Sequence, residues 1–411
     1  MVGRAGRKVC DKEAYAYIYT ESRKVDFYKA FLFSPFPAES SFHERLIDSL
    51  NSEIASGTVA NLPQALNYLK NTFFYRRLQR NPQYYLNTEF LTGCTVESTT
   101  EELAASVVCR SLQRLEEIGC ISTACGELAL FEEDKILVPS IIGTLASQYY
   151  ICCQTMTHFT DALCQNTYCN SIFKILWILS NAKEFSEVPL RHNEDIYNMH
   201  LSSTAMMPIP ASEASNPHAK TFLLLQTRLF DLDVPIFDYN NDLKSVLDQL
   251  PRICQALIDL IACYRNFKNI KYAMMLYKHL TVGGNLLEQR CSLDDAAVMT
   301  VKVVDIRLSR PLRGIAMSER DGWYSYDVTG VNEVDVVVCV SNVSTNDARY
   351  ITLGGQRSDV LYGFKKITTS GNYSFRYVIQ LRFNYAQSET WLFTWARSDQ
   401  GDFNLMHVVH V

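Results

Sequence analysis

The stretch Asn241–Asn266, NDLKSVLDQLPRICQALIDLIACYRN, limits what this chain can become more than any other. At about 100° per residue, Val246, Leu250, Ile253, Leu257, Leu260, Ile261 and Tyr264 share one side, flanked by Leu243, Leu247, Cys254 and Ile258. Lys244, Ser245, Asp248, Gln249, Arg252, Gln255 and Asp259 take the other. The pattern predicts a long amphipathic helix with a broad buried face and a continuous polar stripe. Pro251 removes a backbone donor near its middle and is expected to bend the rod. Periodicity leaves two readings of the stripe open. It is a solvated face, or Lys244, Gln249 and Arg252 touch something in a channel.

A face that wide needs neighbours, and the preceding chain is rich in helical patterns. From Pro139 onward Ser140–Leu163, Asn170–Ala182, Pro217–Leu232 and Asn269–Leu280 read as helices, so residues 139–282 are expected to form a helical bundle. Before it, Ser40–Ser56, Leu62–Leu78 and Glu101–Gly119 read as helices, followed by strands Cys120–Thr123 and Glu127–Phe131. Asn61 is a candidate N-cap and Gly119 a C-cap. Three helices and a hairpin over 37–138 resemble a winged helix. Such a fold reads DNA in some proteins and packs or hinges in others, and Glu101, Glu102, Glu116 and Glu117 make this third helix acidic. A basic run, Arg76-Arg77-Leu78-Gln79-Arg80, ends the second helix and precedes Tyr84 and Tyr85.

The period changes after Gly283-Gly284. Val298–Ile306, Gly322–Val328, Val334–Val340, Ala348–Leu353, Gly363–Ile367, Tyr373–Phe383 and Thr390–Ala396 read as strands. Roughly seven strands in such a span predict an immunoglobulin-like β-sandwich over 299–411. The expected class is therefore multidomain, mostly α followed by all-β. At the other end, Ala14–Thr20 reads as a short strand and Glu21–Phe33 as a short helix.

Charge and cysteine usage set limits on function. The net charge of −5 over 411 residues excludes a whole-protein basic field, so any nucleic-acid contact must be a local lining. Thirteen cysteines lack a disulfide-framework spacing, and the first residues show no charged stretch followed by an apolar run and a cleavage site, so no secretory leader is expected. Reduced thiols in the nucleus or cytoplasm are expected. No apolar run reaches membrane-spanning length, and no membrane partner is expected. Cys152, Cys153, His158, Cys164 and Cys169 lack the paired knuckles of a zinc site, so no metal is assigned. Arg191-His192-Asn193-Glu194-Asp195 is expected to be an ion-pair and capping network rather than a catalytic loop. Gly3-Arg4-Ala5-Gly6-Arg7 places two arginines three apart between glycines, which suits a phosphate clamp, or forms a frayed basic terminus.

In order, VGRAGR, DFYKAFLFSPFPAESS, LNSEIASGTV, ALNYLKNTFFYRRLQRNPQYY, GTLASQYYI, EFSEVPLRHNED and HAKTFLLLQ resemble the two-cassette superfamily 2 DExH-box helicases. The resemblance covers residues 1–280 well and 299–411 loosely, through Asp321-Gly322-Trp323 and Gly363–Ile367. It implies that residues 1–36 are the tail of a second motor lobe, and that 283–298 replaces a longer helix-hairpin-helix module. Arg4 and Arg7, with Gly3 and Gly6, are implied to face the γ-phosphate of ATP, with Mg2+ in the full-length enzyme. The long helix is implied to be the family's ratchet helix lining a channel for single-stranded DNA or RNA. Arg252 stands at its base-stacking position, and Lys244, Ser245 and Gln249 lie on the same side. Subunits of a helicase complex are the implied protein partners. The phosphate-binding loop and the acidic metal-binding motif are absent, so this chain alone should not hydrolyse ATP. Lys8 replaces the family's usual proline. The alternative is a non-catalytic interaction platform derived from a helicase cassette.

Overall fold

A computed structural model describes residues 13, 15–33, 38–86, 91, 98–123, 136–165 and 171–283. Beyond these it describes 301–307, 318–320, 323–325, 333–343, 349–355, 359–367, 371–380, 390–397 and 406–410. Gly3, Arg4, Gly6, Arg7 and Lys8, the expected strand Glu127–Phe131, Cys169 and joint residues 284–298 lie outside the described residues.

Helices α1 (Val25–Phe33), α2 (Leu46–Ala55), α3 (Leu62–Lys70), α4 (Phe73–Arg80), α5 (Pro82–Tyr85) and α6 (Thr100–Glu117) come first. Strand β1 (Ile121–Thr123) then pairs antiparallel with β2 (Leu137–Pro139). The single helix expected over Leu62–Leu78 is two. Asn71 and Thr72 interrupt it, and the Thr72 hydroxyl accepts from the Tyr75 amide to start α4 afresh. Asn61 caps α3 by accepting from the Gln64 amide, and Thr99 and Glu102 form a reciprocal capping box on α6. Residues 15–20 pair with no strand among the described residues and are exposed, contrary to the strand expected at Ala14–Thr20. An isolated strand leaves its backbone groups unpaired, so alternating tyrosines alone do not hold one.

The second layer is helical: α7 (Ile141–Tyr149), α8 (Cys153–Gln165), α9 (Ile172–Ser180), α10 (Glu194–Thr204), α11 (Pro217–Phe230), α12 (Asp238–Cys263) and α13 (Phe267–Val282). The helix expected over Ser140–Leu163 breaks at Tyr150, which takes a left-handed φ of 52°. Carboxylates from other elements then satisfy the first amides of α8. Asp48 Oδ1 accepts from Cys153 N at 2.8 Å, and Glu184 Oε1 accepts from Cys152 N at 2.9 Å. Sequence periodicity cannot see caps supplied from so far along the chain.

One apolar core runs through both layers, from Leu46 and Leu50 to Leu257 and Ile261. The layers meet where α2 lies on α7. Asn51 Nδ2 donates to Gly143 O at 2.9 Å, and Ser140 Oγ donates to Gly119 O at 2.7 Å. Gly143 allows the approach, because a Cβ there would run into Cys120 O and stand 2.6 Å from Asn51 Oδ1.

The C-terminal region forms two sheets from β3 (Val301–Arg307), β4 (Ser318–Arg320), β5 (Trp323–Ser325), β6 (Glu333–Val343), β7 (Arg349–Gly355), β8 (Leu361–Ile367), β9 (Gly371–Gln380), β10 (Thr390–Arg397) and β11 (Met406–His410). The order is β4-β5-β11-β10-β7-β8 in one sheet and β3-β6-β9 in the other. Seven of these were expected from alternation; β4 and β11 are too short and mixed to show it. The β7–β8 edge docks on the corner between α12 and α13. Phe267 N donates to Asp359 O at 3.1 Å, Leu361 N donates to Arg265 O at 2.8 Å, and Leu361 is buried. No described helix is long and apolar enough to cross a membrane.

Candidate nucleic-acid interface

Helix α12 runs unbroken through Pro251. Its first turns are anchored by a buried ionic knot. Lys220, fully buried on α11, donates from Nζ to Glu194 Oε2, Asp242 Oδ2 and Pro189 O, each at 2.7 Å. Its ammonium also sits 4.7 Å from the centroid of the Tyr239 ring. Arg191 closes the knot, reaching Asp242 at 2.7 and 3.0 Å and Glu194 at 2.6 Å. Burial raises the Glu194 and Asp242 carboxyls, but the hydrogen bonds from Lys220 and Arg191 outweigh it and hold both below their ordinary values. The expected ion-pair network around Arg191–Asp195 is present in Arg191 and Glu194. Asn193 takes a φ of 61° and makes no side-chain cap.

The polar stripe divides into two halves. In the first, Lys244, Ser245 and Asp248 are exposed and Gln249 is half-buried. Ser245 Oγ donates to Asn241 O at 3.1 Å. Arg252 ends this half, donating from one nitrogen to the Tyr150 carbonyl and from the other to Gln249 Oε1 at 3.0 Å. The second half is closed. Tyr149 OH donates to Asp259 Oδ2, Gln255 Nε2 donates to Tyr277 OH at 2.9 Å, and Lys366 from β8 donates to Tyr149 OH at 2.7 Å. Burial pushes the Asp259 carboxyl up and the Lys366 ammonium down, each toward its neutral form. The solvated-face reading of the stripe is therefore corrected for its lower half, where Gln255 and Asp259 are half-buried and hydrogen-bonded to Tyr277 and Tyr149, with Lys366 of the sheet beside them.

Beside Arg252 opens a cleft of about 580 Å³ between the helical layers. Arg45, Lys183 and Arg252 line it together with Glu44, Asp48, Glu184 and Glu187. Two of those carboxylates are already engaged on the α8 amides. Tyr150 stands at the lip, 85 % exposed. Nothing in sequence periodicity marks it, because left-handed helix ends usually carry Gly. Burial pushes the Cys152 thiol up to about 12, so it stays protonated there.

A winged helix fused through α2 and α7 to a helical layer, with a β-rich region docked on its longest helix, defines a helicase-associated architecture. The winged helix-turn-helix domain of the SNRNP200 type matches residues 39–124, and the Sec63 Brl domain matches residues 139–400. The chain belongs to the Sec63 Brl domain family and corresponds to the C-terminal region of a two-cassette Ski2-like helicase. It is 41% identical over 64% of its length to the DExH-box ATP-dependent RNA helicase DExH14 of Arabidopsis thaliana, covering 11% of that protein. It is 38% identical over 69% of its length to activating signal cointegrator 1 complex subunit 3 of Dictyostelium discoideum, covering 12% of it. The RQC trigger complex helicase SLH1 of Saccharomyces cerevisiae is 36% identical over 63% of the chain, which covers 13% of that protein.

Proposed function

We propose that this chain is the strand-guiding, motor-completing end of an ATP-dependent nucleic-acid helicase, with α12 acting as a ratchet helix. The reading rests on the half-stripe that stays open on α12 within the Sec63 Brl match. Lys244, Ser245 and Gln249 lead over about two turns to Arg252, while the rest of the stripe is sealed. Asp248 lies in the same stripe, so the strand is gripped by stacking on the Arg252 guanidinium more than by phosphate pairing. Arg252 is pre-oriented by Tyr150 O and Gln249, and releases one of those bonds when a base arrives.

In the full-length protein Arg4 and Arg7, flanked by Gly3 and Gly6, face the γ-phosphate of ATP. ATP with Mg2+ supplies the free energy of translocation. Residues 1–36 complete the second motor lobe, 37–138 form the winged helix, 139–282 the bundle, 283–298 a short joint, and 299–411 an immunoglobulin-like sandwich from the two sheets. The partners are single-stranded DNA or RNA and the subunits of an intracellular helicase complex. Binding of a fluorescent single-stranded oligonucleotide to the full chain tests the reading. Arg252→Glu lowers affinity about ten-fold or more with the melting temperature unchanged; equal affinity overturns it.

A second reading has its own observation. The four carboxylates lining the cleft beside Arg252 suit a protein partner better than a phosphate backbone. On this reading the chain is a docking platform, and it binds single strands weakly at any salt concentration.

A further inference from the structure

The basic segment of the winged helix lies on α4 rather than on the third helix that such folds present to a groove. That third helix, α6, buries Leu103, Ala104, Val107, Val108, Leu112 and Leu115, and carries acidic residues at both ends. Segment 73–85 beside it reads FFYRRLQRNPQYY, with three arginines and no acid, in a chain whose net charge is −5.

The three arginines do different things. Arg77 turns inward and pairs with Glu39 at 2.6 Å, its side chain 12% exposed. Arg76 and Arg80 are exposed, and neither forms an ion pair with a described residue. Phe73, Arg76 and Arg80 fall within about 60° of arc on α4. The two guanidinium stems stand about 6 Å apart.

Aromatic rings flank this stripe on the outside. Phe73 is 56% exposed at its start and Tyr84 is 57% exposed just past its end. Tyr84 is braced from beneath. The buried Phe74 and Tyr85 rings meet edge-on at 5.1 Å, Tyr84 packs on Tyr85 at 5.0 Å, and Tyr85 OH donates to Glu39 at 2.9 Å. Exposed rings here stand beside two cations that form no ion pair among the described residues. Together they supply the two components that sequence-independent strand binding needs: cations for phosphates and π-faces for bases.

We propose that Phe73, Arg76, Arg80 and Tyr84 form a binding surface for single-stranded nucleic acid, separate from the α12 stripe. Arg76 and Arg80 pair with successive phosphates, and the two rings stack on bases. The proposal does not require α12 to be a ratchet.

The test uses the full chain and a fluorescein-labelled oligouridylate, titrated between about 50 and 200 mM salt. Arg76→Gln with Arg80→Gln reduces the slope of log K against log salt by about 1.4, because each lost single-strand phosphate contact removes about 0.7. Phe73→Ala with Tyr84→Ala weakens binding about five-fold or more without changing the slope. Ultraviolet cross-linking of the unmodified chain places the nucleotide adduct on peptides containing Phe73 or Tyr84, independently of how any variant folds. An unchanged slope in the arginine variant, or adducts confined to other peptides, overturns the proposal. If Arg252→Glu binds normally while the arginine variant keeps its reduced slope, the ratchet reading fails and this surface stands. Absence of binding by the unmodified chain overturns both.

Discussion

Replacing Lys220 by Met removes the cation at the centre of the ionic knot without emptying its volume. In the native protein the Lys220 ammonium is fully buried and donates to two carboxylates and a carbonyl at 2.7 Å. Breaking a buried pair from one side costs about 3–5 kcal/mol, because the remaining charge stays desolvated. Here Arg191 still reaches both Glu194 and Asp242, which places the loss near the lower end, about 3 kcal/mol. For a domain of this size that lowers the melting temperature by about 6–12 °C. The acid limb also moves. With Lys220 present both carboxyls sit below their ordinary values, so their stabilisation is held above the unfolded values and lost as pH falls through the folded ones. Without Lys220 the folded values rise and unfolding begins at higher pH. Adding Glu194→Gln and Asp242→Asn should recover part of the loss, since no buried carboxylate is then left charged and the half-exposed Arg191 keeps Asp238 at 3.6 Å. Calorimetric and denaturant melts of the three proteins across pH measure this. A loss under about 1 kcal/mol with an unchanged acid limb would refute a buried, mutually dependent knot.

Tyr150→Gly should leave stability unchanged or raise it by up to about 1 kcal/mol, as Gly adopts the left-handed φ of 52° without strain and the exposed ring is not packed. A denaturant melt with a loss above about 1 kcal/mol would mean the ring supports the fold. Gly143→Ala should separate the winged helix from the bundle or prevent folding, because its Cβ meets the Cys120 carbonyl and Asn51; limited proteolysis between the layers reads the effect. The Glu39 carboxyl is held down to about 2, chiefly by the Arg77 hydrogen bond, then by Asn81. Its stabilisation is complete above its ordinary value and disappears as pH falls from about 4.5 toward 2, so Glu39→Gln should flatten the acid limb of the winged helix. Asp259 works in the opposite sense, since burial raises it.

Many of the helices were legible because their apolar periodicity is strong and one start carries a recognisable cap, Asn61; Thr99, Asn216 and Asn266 cap their helices in the same way, accepting from an amide two or three residues on. What escaped depended on partners distant in sequence. The break at Tyr150 is fixed by Asp48 and Glu184 capping the next helix, and no local pattern announces that. The sealing of Gln255 and Asp259 depends on Lys366, more than a hundred residues away, so periodicity read them as wet. Arg76, Arg77 and Arg80 look alike in sequence. Only the position of Glu39 separates the structural arginine from the two that face outward.

Single-strand binding by the full chain as a function of salt tests the central claim most directly. A strand guided across this chain predicts measurable binding whose log K falls linearly with log salt over about 50 to 200 mM, with affinity reduced further by Arg252→Glu. Weak binding that is flat across that range and indifferent to Arg252 would contradict strand guidance and leave the docking platform as the function.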